Sequence, residues 1–297
     1  MIEFSQEWKQ ACEVRPASLS EMGFQYQTLQ TSDGGIAYVD TGGTGFAVIL
    51  IHGNSCSSEL FRNQLAAFRG QYRMIAIDLP GHGKSDDAKD PDATYTIPGY
   101  AKILNEVVGS LGLDRFAVIG ISLGGNIALQ WSQLSSSIQG IMLVCSAPMK
   151  YSEEAYEAYP PFEGSHGGWP DQLTESQAKQ HMRGCGYHVE DPSVRFVIED
   201  AMRTDGKARA KMVASVLAGR GVDETEIVGR LPIPFALVVG REDSALDMDY
   251  LAKLPYQNLW RGKIDFIPDA KHAIVVDQVE PFHRLLRDFL EDIKKKG

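Results

Sequence analysis

The chain has 297 residues, 43% hydrophobic and 23% charged, which is ordinary globular usage and enough length to bury a full core. Its 39 acidic and 29 basic side chains leave a formal charge of −10, which repels phosphate and argues against nucleic acid as a partner. No apolar run approaches the ~20 residues that span a bilayer, so no membrane span is expected.

The stretch MIEFSQEWKQ has neither a basic nor an apolar region of the kind found in a signal peptide. Cys12, Cys56, Cys145 and Cys185 form no C-x-x-C pair. These features predict a reduced, cytoplasmic protein. The first 22 residues read as a surface arm. Gln25 to Gln30 and Ile36 to Val39 flank Ser32-Asp33-Gly34-Gly35, the pattern of a hairpin.

Phe46 to Ile51 is a continuous apolar run, as expected of a strand buried on both faces. Similar runs are Met74 to Ile77, Phe116 to Gly120, Ile141 to Cys145, Phe235 to Val239 and Ile264 to Ile267. Helical periodicity fills the gaps between them. Leu60, Phe61, Leu65 and Phe68 share one face before Gly70, and Tyr100, Ile103, Leu104, Val107 and Leu111 share another before Gly112. Phe282, Leu285, Leu286, Phe289 and Ile293 mark a closing helix whose last turn carries lysines, suiting the helix dipole. Strands alternating with helices predict a mostly parallel α/β sheet with helices on both faces.

The alternation fails between Ala147 and Arg230. Tyr151 to Pro170 is irregular and rich in Tyr, Gly and Pro. Asp171 to Gly184 and Ser193 to Gly219 read as helical, with a break at Asp205-Gly206 and an apolar stripe of Val194, Val197, Ile198 and Met202. The expectation is a core of residues 1–146 and 231–297, with residues 147–230 inserted after the sixth strand as a helical cap.

Gly120-Ile121-Ser122-Leu123-Gly124-Gly125 follows a buried strand and opens a helix, the context a G-x-S-x-G nucleophile elbow requires. Glycines relieve the crowding of a serine on so tight a turn. An oxyanion hole needs two backbone N–H groups, and Leu123 and Asn54 (in His52-Gly53-Asn54) occupy the expected places. The Asn54 side chain is also a candidate substrate contact. Of seven histidines, the order Ser…acid…His selects His272 as base. His82, in LPGHGKS, reads as a structural loop residue. Val239-Gly240-Arg241-Glu242-Asp243 ends a strand and offers Asp243 as the acid, with Glu242 and then Asp247 as rivals. Ser146-Ala147-Pro148, after the preceding strand, holds no carboxylate.

Together these residues resemble the α/β-hydrolase superfamily, from about Phe24 onward. HGNS, DLPGHGKS followed by DPDATYTIPGYA, RTDGKARAKM and NLWRGKIDFIPDAKHA are more closely similar to its serine-dependent N-acyl-homoserine lactonases. The resemblance implies opening of a homoserine lactone ring, hence quenching of quorum signals, without cofactor or metal. H-x-H-x-D-H, the pattern of metal-dependent lactonases, is absent. In that family the acid looks like a glutamate after Arg-Asp, whereas here the order is Glu242-Asp243. The expected partner is a small ester or lactone with an acyl chain, which Tyr151, Tyr156, Tyr159, Phe162 and Trp169 could enclose. Tyr187 is a further candidate for touching the lactone. The alternatives are a general carboxylesterase, a C–C bond hydrolase, and a ligand receptor that has lost turnover.

Overall fold

The computed structural model describes residues 17–161 and 170–296. Eight strands form one sheet in the order β1-β2-β4-β3-β5-β6-β7-β8. They are β1 Tyr26–Thr31, β2 Gly34–Asp40, β3 Ala47–Ile51, β4 Arg73–Ile77, β5 Phe116–Ile121, β6 Ile138–Val144, β7 Phe235–Gly240 and β8 Asp265–Ile267. The hairpin β1–β2 and the β2–β4 pair are antiparallel, and every pair from β4 to β8 is parallel. All residues of β3, β5 and β7 are buried. This is why these strands read as unbroken apolar runs rather than as alternations.

Helices cover both faces. α1 (Arg62–Phe68) and the closing helix α8 (Val279–Lys296) pack with Val48, Leu50 and Ile119 on one side. α2 (Ile97–Ser110) and α3 (Leu123–Trp131) pack with Ile49, Ile51 and Val118 on the other. The split follows directly from the two-residue period of the strands. α2 starts where the Thr96 hydroxyl accepts from the Gly99 N–H, a cap that lies before the apolar stripe.

Between β6 and β7 the chain forms α4 (Glu175–Gly184), α5 (Phe196–Arg203), α6 (Gly206–Leu217) and α7 (Glu224–Arg230). A single helical turn at Ala155–Ala158 precedes them. The break between α5 and α6 falls at Thr204-Asp205, where the backbone leaves helical geometry and the Asp205 side chain caps α6 by accepting from the Lys207 N–H; a Cβ on Gly206 would run into the backbone of Asp171.

Some sequence expectations shift. The hairpin loop is only Ser32-Asp33, because Gly34 and Gly35 pair with Thr31 and Gln30. β6 starts three residues earlier than its apolar run, at Ile138. The surface-arm reading does not hold for Leu19, which is fully buried among Phe24, Phe61 and Leu65. Residues 1–16 of that arm lie outside the described residues.

Candidate active site

Ser122 sits between the end of β5 and the start of α3 at φ 51, a left-handed backbone that costs energy for any side chain. Its N–H bonds the Val144 carbonyl at 2.9 Å, pinning the turn to β6. The glycines around it are required by close approach. A Cβ on Gly120 would strike the Gly124 carbonyl, and one on Gly124 the Ile51 carbonyl of β3. Although Ser122 is the N-cap residue of α3, its side chain makes no capping hydrogen bond. Leu123 begins α3, so its N–H has no partner within the helix.

Asp243 lies just past β7, and His272 lies in the loop after β8. Their chains close together because β7 ends in Gly240, where a Cβ would run into the Lys271 carbonyl. His272 Nδ1 donates to Asp243 Oδ2 at 2.8 Å, and the Ala245 N–H donates to Oδ1 at 3.0 Å. Burial opposes charge on Asp243. The imidazole, its hydrogen bond and the Ala245 N–H together outweigh that and hold the carboxyl below its ordinary value. Glu242, the rival acid, is exposed, and its N–H bonds the Ala270 carbonyl. With Nδ1 committed to Asp243, His272 keeps Nε2 as its basic nitrogen.

Several other histidines among the described residues are engaged elsewhere. His52 is fully buried, with Nδ1 on the Gly53 carbonyl at 2.8 Å and Nε2 accepting from the Leu79 N–H at 3.0 Å. His82 bonds the Pro80 carbonyl at 3.0 Å, as expected of a loop-forming residue. Burial lowers the pKa of both. His283 bonds Gln64 at 3.2 Å.

One cleft, open to solvent, brings Asn54, Ser122, Leu123 and His272 together. Tyr156 and Tyr159 also line it. Tyr151 does not: it is buried, with its hydroxyl donating to Glu224 at 2.9 Å. Phe162 and Trp169 lie outside the described residues.

Other parts of the wall were not among the candidate site residues. They include Met149, His181, Cys185 and an apolar face of α6 formed by Met212, the last residue of RTDGKARAKM, with Val213 and Val216. The 3.6-residue period of α6 was the available signal, but it does not say what that face covers. His181 bonds the Ser55 hydroxyl at 3.1 Å, and burial lowers its pKa to about 4, so the ring facing the cleft is neutral. The Tyr187 ring stands edge-on to His272 at 6.4 Å.

A group of potential metal ligands among the described residues is Cys145, Asp243 and His272, whose donor atoms lie within 4.8 Å of one another. Two of those atoms are already joined in the Asp243–His272 hydrogen bond. Burial pushes the Cys145 thiol well above its ordinary pKa, and its Sγ lies 3.8 Å from the Lys271 carbonyl.

A family model described as alpha/beta hydrolase fold matches residues 47–183. The chain is 33% identical to a solved N-acyl homoserine lactonase, AidH, complexed with N-butanoyl homoserine. That alignment covers 91% of this chain and 97% of that one, with a TM-score of 0.85. Haloalkane dehalogenase 2 of Mycobacterium bovis (strain ATCC BAA-935 / AF2122/97) is 34% identical over 121 residues, 40% of this chain and 41% of the dehalogenase. The chain thus matches less than half the length of that relative. A 2-hydroxy-6-oxo-6-(2'-aminophenyl)hexa-2,4-dienoic acid hydrolase of Metapseudomonas resinovorans is 26% identical over 262 residues, covering 84% of this chain and 85% of that enzyme. With its parallel sheet and its serine turn between β5 and α3, the chain belongs to the α/β-hydrolase family.

Proposed function

We propose that the protein is a serine hydrolase that opens the lactone ring of N-acyl-homoserine lactones. The observation that carries this reading is the Asp243–His272 hydrogen bond, whose imidazole lines the same largely apolar cleft as Ser122. It is supported by 33% identity, over nearly the whole length, to a lactonase crystallised with an acyl homoserine.

In this mechanism His272 Nε2 takes the Ser122 proton as Oγ attacks the lactone carbonyl. The backbone N–H groups of Leu123 and Asn54 hold the oxyanion, an arrangement whose loss typically costs about 10²–10³ in rate per donor. Asp243 fixes the imidazole tautomer and balances its positive charge. The C–O ring bond breaks as His272 returns the proton to the leaving oxygen. This leaves an ester between Ser122 and the acyl-homoserine, with the alcohol still attached to the acyl group. Water, giving its proton to His272, attacks that ester. Ser122 leaves with the proton, and the open hydroxy acid is released.

The test is proton release on a pH-stat with an N-acyl-homoserine lactone, a phenyl ester and a Ser122→Ala control. Rapid lactone opening that vanishes in the variant is the expected result. Ester hydrolysis without lactone opening would make the protein a carboxylesterase with the same triad.

A further inference from the structure

Glu224 opens α7 with no exposed surface, and the mechanism above does not use it. Its Oε2 accepts from Asn126 Nδ2 at 2.7 Å and from the Met149 N–H at 3.2 Å. Its Oε1 accepts from the Tyr151 hydroxyl at 2.9 Å and from Gln130 Nε2 at 3.4 Å. The network continues outward. Asn126 Oδ1 accepts from the Tyr159 hydroxyl at 2.8 Å, and that oxygen accepts the Ala147 N–H at 2.9 Å. Asn126, Met149 and Tyr159 all line the cleft, and Glu224 does not. Three wall residues, from α3, the loop after β6 and the turn at Ala155–Ala158, are therefore tied directly or through one link to a single carboxyl group.

We propose that Glu224 is a positioning residue: through Asn126 and the Met149 amide it fixes one wall of the cleft, and so sets how well the cleft holds a long acyl group. This inference rests on reading the cleft as the acyl site.

The chemistry of the network favours a neutral acid. A carboxylate buried without a cation loses its hydration, and neutral donors replace it incompletely. Burial accordingly pushes Glu224 up to about 8 despite the four donors. In the neutral acid Oε2 stays the acceptor for Asn126 and Met149, and the proton sits on Oε1, where the Tyr151 hydroxyl turns from donating to accepting.

The titratable groups facing it are Tyr151, Tyr159 and, on the helix Met248–Lys253, Tyr250. Burial raises all three beyond the range in which Glu224 titrates. Asp223 is bonded to Thr225, Glu226 and Arg230 are exposed on α7, and α3 carries no charged residue.

The experiment compares KM and kcat for p-nitrophenyl octanoate and acetate in the wild type, Glu224→Ala, Glu224→Asp, Glu224→Gln and Tyr151→Phe. Loss of one buried polar anchor is expected to raise the octanoate KM about tenfold in Glu224→Ala, with acetate KM and both kcat values within about twofold. Glu224→Asp, one methylene too short, should act like Ala and carries the test if Ala does not fold. Glu224→Gln should restore the wild-type KM, because its oxygen serves Asn126 and Met149 while its amide faces Tyr151. Tyr151→Phe, which leaves the wall bonds in place, should not move it.

Equal loss on both esters, a fall confined to kcat, or failure of Gln to restore KM would mean a merely structural role and overturn the inference. So would an active wild type whose octanoate KM is the same in every variant, while leaving the proposed function intact. A folded wild type that turns over neither ester and leaves Ser122 unlabelled by a fluorophosphonate would overturn both.

Discussion

The cleft has two unlike halves. On one side are the ends of β3, β5, β7 and β8, which hold Asn54, Ser122, Asp243 and His272 by backbone geometry. On the other are the helices between β6 and β7, which hold the wall by side-chain packing and one polar network. Each half contains a buried carboxyl group, and the two are held in opposite states. Asp243 has an imidazole partner and lies below its ordinary pKa, whereas Glu224 has only neutral donors and is raised to about 8. The contrast is local: the neutral donors around Glu224 do not offset its burial, whereas the imidazole beside Asp243 does.

The sharpest way to break the comparison is at Asp243. Asp243→Asn keeps the shape but offers His272 the wrong hydrogen-bonding partner, so on the proposed mechanism kcat on ester or lactone should fall by about 10⁴, on the template of Ser-His-Asp enzymes. Glu242→Gln should leave kcat within about twofold, since that side chain is exposed. If instead Glu242→Gln abolished activity and Asp243→Asn did not, the acid would be misassigned. Steady-state kinetics at one pH decide it.

The second prediction uses the opposite states. A carboxyl raised from 4.5 to about 8 binds its proton more tightly when folded, so the unfolded state gains on ionisation. Wild-type stability relative to Glu224→Gln should therefore fall as pH rises from 4.5 to 8, by up to about 4 kcal/mol, and then level off. Asp243 works the other way. Its depressed pKa stabilises the fold above the ordinary carboxylate range, and that contribution is lost on acidification through the folded value. Urea unfolding of both proteins across that pH range measures the difference, and a wild-type curve parallel to that of Glu224→Gln would refute it.

The elbow offers a purely steric test of the first half. At Gly124 the added methyl of Gly124→Ala meets the Ile51 carbonyl, which is sheet backbone and cannot swing aside. A loss of about 3 kcal/mol is expected from such overpacking, readable as a lower urea midpoint at unchanged slope. A change at Gly109, where a Cβ meets nothing within 4 Å, is the control and should cost no comparable stability.

The two halves also differ in how far the sequence betrays them. The strand-end half was legible because its chemistry needs fixed spacings. Gly-x-Ser-x-Gly after an apolar run, His-Gly-Asn after another, and a late histidine after an acid each follow from where backbone must crowd or reacting atoms must meet. Asp243 over Glu242 was legible only as a preference, because neighbouring residues at a strand end point opposite ways and the register that chooses between them is set by packing. The helical half was legible as helices but not as a wall. Nothing in Tyr151 or Tyr159 distinguishes the tyrosine spent on Glu224 from the one that lines the cleft. Glu224 itself reads as an ordinary acidic residue in a first helical turn, suited to the dipole. The approach of α7 to α3 and to the segment after β6 encloses it.

The smallest effect comes from a residue that touches the helical half alone. Met212 projects from α6 into the cleft, with no polar tie to the network or to the triad side chains. Met212→Ala should widen the wall without moving Ser122, Asp243 or His272. An alkyl chain that filled the space loses a few contacts, so the octanoate KM should rise about threefold while the acetate KM stays put. Labelling of Ser122 by a small fluorophosphonate should proceed at the wild-type rate. An equal rise for both esters, or slower labelling, would mean that the helices reach the reacting groups after all. The division between a rigid reacting half and an adjustable binding half would then be wrong.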